Sequence, residues 1–472
     1  MNIAFLHYHL KTGGVTTVIK QQLAAIGKKC QTVVFTGLPP AQPLPAEFVH
    51  IPELGYSSQY PTDFNPDDVA ETIFDAINQK FKGRCDVLHV HNPVLAKNRR
   101  FLEILNSLQK KNVPLFLQIH DFAEDGRPRD YFADAYPSNC HYGVVNQRDF
   151  DILRAAGLSE NGLHLLANSV NPDPIGHLSP KYKLERPFVL YPVRAIRRKN
   201  VGEAILLSSF MGSHRSLAIT LPPNSPEDKR SYQGWKAFVE TCNLNVGFEK
   251  GLDHDFNTLV VSADSLVTTS ITEGFGFSFL EPWLFNKLLW GRRLPDICRD
   301  FTDRGLRLDH LYTALVVPVD WIDRQRFAQR WVGCVRRAYH LFNLSIDEGL
   351  ISQAFDSMTE NDVIDFGILD ETAQKEIIIH LISSKLAVEK LVRLNPFLSM
   401  PGNVSDSQDL VRDNRRVIEQ NYNPVAYRQK LFGIYHKVAA SPVEHRIDKV
   451  ALAKAFLDLG HFSLLKWGDY LD

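Results

Sequence analysis

The sequence is poor in the features that would assign it quickly. Its six cysteines stand at 30, 85, 140, 242, 298 and 334, and no two make a CxxC pair. Buried reduced thiols are therefore expected, not a disulfide framework or a thiolate metal site. The formal net charge is −1, so the broad positive field that nucleic acid needs is missing and no nucleic-acid partner is expected. No apolar run approaches membrane-spanning length, which argues against stable membrane insertion. The first residues form a short strand with no basic stretch before it. No signal peptide is read there, and a cytoplasmic location is expected. Internal repeats and low-complexity tracts are absent too. The loop Lys11-Thr12-Gly13-Gly14 lacks full GxGxxG spacing, and no acidic residue ends the second strand, so a dinucleotide oxidoreductase is disfavoured.

What is present is an alternation of short apolar runs with helical patterns. Strands are expected at 2–7, 32–36, 86–91, 114–120, 142–145 and 163–167. After a proline-rich break at 171–187 the alternation restarts, with strands at 188–192, 217–221, 244–248, 265–269 and 314–319. Such runs fit two doubly wound parallel sheets in tandem, each with helices on both faces. From about 330 onward the pattern is mostly helical. The expected division is 1–178 as a first domain, 179–440 as a second, and 441–472 as a helical tail packing back on the first. At 472 residues the chain is too long for one core.

Two segments carry chemistry. The first is Thr269-Ser-Ile-Thr-Glu273-Gly274-Phe275-Gly276-Phe-Ser-Phe-Leu-Glu281-Pro, which follows a strand and opens a helix. Its glycines bare backbone N–H groups at a helix start, and Glu281 can accept two O–H bonds from a ribose diol. Taken alone, Glu273 could equally be solvated and Glu281 could merely favour the helix dipole. The second is Tyr191-Pro-Val-Arg194-Ala-Ile-Arg197-Arg198-Lys199-Asn200, four cations within six residues after the first strand of the second domain. Diphosphate suits such a loop, and a solvated basic turn is the bland alternative. The Gly13-Gly14 turn invites an anion at the following helix, although a turn that only closes a βα unit has the same pattern.

In order and spacing these segments resemble retaining glycosyltransferases of the GT-B fold, similar to family 4. That family has a Glu-x7-Glu motif (here Glu273 to Glu281), an Arg and Lys five apart (Arg194, Lys199) and an N-terminal Gly-Gly loop (Gly13, Gly14). It also has an Asp-x-x-His-x-His strand (Asp86, His89, His91), a strand ending in His-Asp (His120, Asp121) and an Asn-Gly-Val segment (Asn168-Ser169-Val170). The resemblance implies two Rossmann-like domains facing across a cleft, with extra C-terminal helices. It implies a nucleoside-diphosphate sugar as donor, transferred with retention to a small-molecule or glycan acceptor.

Under the same resemblance His120, Arg194, Lys199 and Glu273 serve catalysis. Gly13, Gly14, Arg194, Lys199, Gly274, Phe275, Gly276 and Glu281 hold the donor, and Lys11, Asp121 and Asn168 flank the acceptor. No cofactor and no metal is expected; His89 and His91 share a strand face, but no third ligand is evident. Arg197 and Arg198 are expected to be solvated surface charges. The sequence departs from the family at Ser169, Val193 and Asn200, each where the family has glycine, and residues 295–420 do not align. A phosphorylase or epimerase, a donor hydrolase, and a sugar-nucleotide-binding subunit without chemistry are the competing readings on this fold.

Overall fold

The computed structural model describes residues 1–40, 42–60, 63–171, 187–212, 214–399 and 407–468. The chain divides into two compact units. One holds Met1–Val170 and Tyr422–Leu457; the other holds Asn171–Asn421 and Asp458–Asp472. The expected boundary at 178/179, and nearly all of the proline-rich break, lie outside the described residues.

The first unit is built on seven strands: β1 (Asn2–His7), β2 (Gln31–Thr36), β3 (Glu47–His50), β4 (Val87–His91), β5 (Leu115–Gln118), β6 (His141–Val144) and β7 (Leu163–Leu165). They lie in the order β3-β2-β1-β4-β5-β6-β7 and every pairing is parallel. The strands read as continuous apolar runs because both faces are covered. One face packs Leu6, Leu88, Leu105 and Leu117 with Ile447, Leu452 and Phe456. The other packs Phe5, Ile19, Leu23 and Phe116 with Tyr427, Leu431 and Tyr435. So the returning segment covers both faces of the first sheet. It starts at Tyr422, earlier than the expected 441, and ends at Leu457. The final short helix, Leu464–Trp467, belongs to the second unit, where Trp467 stacks on Phe462 and Trp331 donates to the Phe462 carbonyl.

The second unit carries β8 (Phe188–Arg194), β9 (Ser216–Leu221), β10 (Val246–Gly247), β11 (Ser265–Thr268) and β12 (Leu289–Gly291), parallel and in the order β10-β9-β8-β11-β12. The strand expected at 314–319 is not in this sheet. It is β13 (Val316–Pro318), antiparallel to β14 (Val363–Asp365) in a separate two-stranded ladder. The edge place is taken by β12, three residues hidden between Lys287 and the arginines that follow.

Both sheets reverse strand order at one point, between β1 and β4 in the first and between β8 and β11 in the second. Loops leaving the carboxyl ends there diverge and open a crevice, the usual ligand site of such sheets. In the second sheet Pro192 interrupts the pairing of β8 with β9. It has no N–H for the ladder, and the β8–β9 register shifts between Tyr191 and Arg194.

Candidate active site

In the second unit the loop after β8 and the loop after β11 meet. Lys199 Nζ lies 2.5 Å from Glu273 Oε1, and Arg198 Nη1 lies 3.9 Å from Glu273 Oε2. Burial alone would push the Glu273 carboxyl up; Lys199 and Arg198 beside it outweigh that and hold it below the usual carboxylate range. The backbones are tied as well. Ile271 N donates to Arg198 O at 3.0 Å, and the Tyr191 hydroxyl donates to Lys199 O at 2.6 Å. Thr269 Oγ1 donates to the carbonyls of Lys199 and Asn200 at 3.1 and 3.0 Å.

Asn200 stands where the family has glycine, and it explains itself: its φ is +50°, a left-handed conformation that asparagine tolerates better than other non-glycine residues. Its side chain is anchored behind the loop, donating to Glu203 and accepting from Gln374. Gly276 has φ +94°, and a Cβ there would meet Ile297 and Phe279 at 3.0 and 3.1 Å, so the turn requires glycine. The chain then makes a 3-10 turn, Phe277–Phe279, and a helix of only four residues, Glu281–Leu284, shorter than the pattern implies.

Glu281 opens that helix and its carboxylate has no hydrogen bond or ion pair among the described residues. Burial without a compensating charge pushes it up to about 7. Phe275 is buried, stacked edge-on against Phe277 and Phe301. Arg194 ends β8, but its Nη1 donates to Pro222 O and Asn224 Oδ1 at 2.8 and 2.7 Å, in the loop after β9. Neither Arg198, which donates to Thr272 O at 3.2 Å beside Glu273, nor Arg197 is the solvated charge expected from the sequence. The Arg197 guanidinium lies 2.7 and 2.9 Å from the two carboxylate oxygens of Glu371, with its side chain 8% exposed. The correction has a plain cause: the partner is 174 residues away, on a helix that no local pattern connects to this loop.

In the first unit a pocket of about 200 Å³ opens at the switch point, lined by His7, His9, Gly13, Gly14, Asn92, Asp121 and Arg127 among others. The helix Gly14–Ile26 begins there with no side-chain cap, and added Cβ atoms at Gly13 and Gly14 meet nothing closer than 4.0 Å. These glycines are thus not needed by the chain's own packing, and the first N–H groups of an uncapped helix are available to a ligand. Asn92, at φ +52°, fixes the next loop: its Oδ1 accepts from His120 N at 2.7 Å and Asp121 N at 3.1 Å. Asp121 is paired with Arg127 at 2.8 Å. Lys11 is exposed beside this loop. Asn168 is buried with an unpartnered Oδ1, and neither it nor Ser169 takes a left-handed conformation. His9, Asn92 and Arg127 escaped the sequence reading; His9 and Asn92 closely follow the switch-point strands β1 and β4, a signal that could have flagged them, whereas Arg127 lies well beyond the end of β5.

No protein-family model matches the chain. It is 24% identical over 520 residues to the mannosylglucosyl-3-phosphoglycerate synthase of Petrotoga mobilis, a match covering 98% of this chain and 99% of that protein. The sucrose-phosphate synthase of Thermosynechococcus elongatus superposes with a TM-score of 0.53 at 14% identity, covering 93% of this chain and 99% of that one. Alr3699/HepE of Anabaena, solved with UDP-glucose, gives 0.52 at 11% identity, covering 92% and 98%. The fold is GT-B. The GT-B assignment accounts for the two switch points and for the helices that return to the first unit. Among the described residues no cluster of three or more His, Cys, Asp or Glu is placed to hold a metal ion, and no helix is long and apolar enough to cross a membrane.

Proposed function

We propose that this chain is a glycosyltransferase that moves a hexosyl group from a nucleoside-diphosphate sugar to a small acceptor, with retention of anomeric configuration. The observation that carries the reading is the second-unit constellation. A lysine and a carboxylate are locked together at the carboxyl edge of a Rossmann-like sheet, and an unpartnered glutamate stands eight positions on. Lys199 meets the leaving diphosphate, with Arg194 at the start of the same loop. Glu281 accepts the ribose hydroxyls, and Glu273 orients Lys199 beside the sugar phosphate.

As the glycosidic bond breaks, charge grows on the departing phosphate oxygen, and a fixed cation stabilises that state more than the bound donor. The same oxygen can take the acceptor's proton while the acceptor attacks from the same face, so no carboxylate nucleophile is required. The cations stand in for a metal, and turnover is expected to persist in excess chelator. The Petrotoga relative is named for a phosphorylated glycoside, and that class of acceptor is the one to test first.

The test is release of nucleoside diphosphate from UDP-, GDP- and ADP-sugars, with and without phosphorylated and neutral acceptors. Acceptor-dependent release and an α-linked product from an α-linked donor support the reading. Release that ignores every acceptor makes the chain a hydrolase. A β-linked product rules out retention, and restoration of chelator-killed activity by magnesium or manganese rules out metal independence.

A further inference from the structure

Histidines crowd the carboxyl edge of the first sheet, and the family resemblance singles out one of them, His120, for catalysis. His91 is fully buried behind it. Its ring lies between those of His89 and His120, with centroids 4.4 and 5.2 Å away and interplanar angles of 25° and 12°. Its Nδ1 is 2.9 Å from Nε2 of His120. Its own Nε2 is buried without a partner among the described residues. The backbone of His120 is already fixed by Asn92, so what remains to be set is which ring nitrogen bears the proton.

A neutral imidazole has one N–H and one lone pair. Both rings stay neutral through the ordinary pH range: burial drives His91 well below its usual value, and brings His120 down to about 4 although Asp121 pulls the other way. Two arrangements satisfy the contact. If His120 donates, His91 must carry its proton on Nε2, a buried N–H with no acceptor. If His91 donates, the unpartnered atom is only a lone pair. Orphaned buried N–H groups are the rarer and costlier defect. The second arrangement leaves the proton of His120 on Nδ1, an atom with no partner among the described residues.

We propose that His91 is a positioning residue that locks His120 in its Nδ1–H tautomer, so that His120 offers a ligand oxygen at the carboxyl edge of the first sheet a hydrogen-bond donor and not an acceptor. The effect on the rate rests on the proposed function; the tautomer lock itself does not.

Long-range ¹H–¹⁵N correlation on ¹⁵N-histidine-labelled protein reads the tautomer directly, with His120 assigned from the spectrum of His120→Asn. The expected wild-type pattern is a protonated Nδ1 and an unprotonated Nε2. His91→Asn places an amide donor where Nδ1 stood, and should keep both the tautomer and a near-wild-type rate. His91→Phe keeps a ring but no donor. There His120 should move toward the Nε2–H form, and kcat should fall about tenfold, the equivalent of one hydrogen bond, with donor KM changing less. An Nε2–H or evenly mixed His120 in the wild type, or an unchanged tautomer in His91→Phe, overturns the lock. If His91→Phe does not fold, the wild-type spectrum alone decides. If the tautomers behave as stated but no nucleotide sugar is turned over, the lock stands and the proposed function falls.

Discussion

Glu281 shows how one side chain can be read from its lack of partners. Its carboxyl is raised to about 7 by burial, from an ordinary value of 4.5. The folded chain therefore holds this proton more tightly than the unfolded one. Its favourable contribution is complete below about 4.5 and is lost as pH rises through about 7. Glu281→Gln should accordingly raise the melting temperature of the ligand-free protein at pH 8 and leave it little changed at pH 5. The ligand side runs the other way. Ribose hydroxyls donate, so the ionised form is the binding form, and donor affinity should weaken as pH falls through about 7. In Glu281→Gln that dependence should vanish, with affinity about tenfold or more below the wild type at pH 8. A wild-type affinity that is flat from pH 6 to 8 contradicts the ribose assignment.

Arg197 makes the opposite case at the same scale. The sequence places it in a basic turn, but its charge is committed to Glu371, which is itself held below the usual range chiefly by Arg197, against the upward push of burial. Arg197→Ala strands a carboxylate, and breaking such a pair costs about 3–5 kcal/mol. The loss should appear as a lower unfolding midpoint and not as a selective fall in kcat; unchanged stability with a lost rate would make Arg197 part of the chemistry.

At the scale of elements, the site depends on how two loops are pinned. Pro192 ends the regular ladder of β8, and the Tyr191 hydroxyl then ties the Lys199 carbonyl to the loop after β11, lying 3.3 Å from both Thr269 N and Ser270 Oγ. Tyr191→Phe removes that tie and nothing else. We expect about 1 kcal/mol of lost stability and roughly a tenfold fall in kcat as Lys199 loosens, measured by denaturant titration and steady-state kinetics. A wild-type kcat would show that Thr269 alone suffices. Long, apolar, centrally placed strands such as β1 and β8 were legible in the sequence to within a residue or two. Among the edge strands, β7 and β10 were expected within longer runs, whereas β12 and β3 were not: β12 has three residues and β3 is mostly exposed. The strand expected at 314–319 is apolar enough to be one, but apolarity does not say which sheet it joins. Lys199 and Glu273 each stand in a local motif after a strand, and the two loops that carry them do meet. The roles of Asn92 and Glu371, and the contact of His91 with His120, were not legible, because their partners are distant in sequence.

At the scale of the whole molecule, the chain closes each unit with residues from far along it: Tyr422–Leu457 completes the first, and residues from Asp458 on complete the second. Each sheet thus has both its crevice and its cover before any ligand arrives, and the central claim concerns the crevice of the second. The direct measurement is single-turnover release of nucleoside diphosphate by wild type and Lys199→Ala, with donor affinity measured in parallel by calorimetry. If Lys199 stabilises the leaving diphosphate, the variant should lose on the order of 10²–10³ in rate, about 3–4 kcal/mol, while donor affinity falls by less. A Lys199→Ala protein that releases nucleoside diphosphate at the wild-type rate contradicts the account.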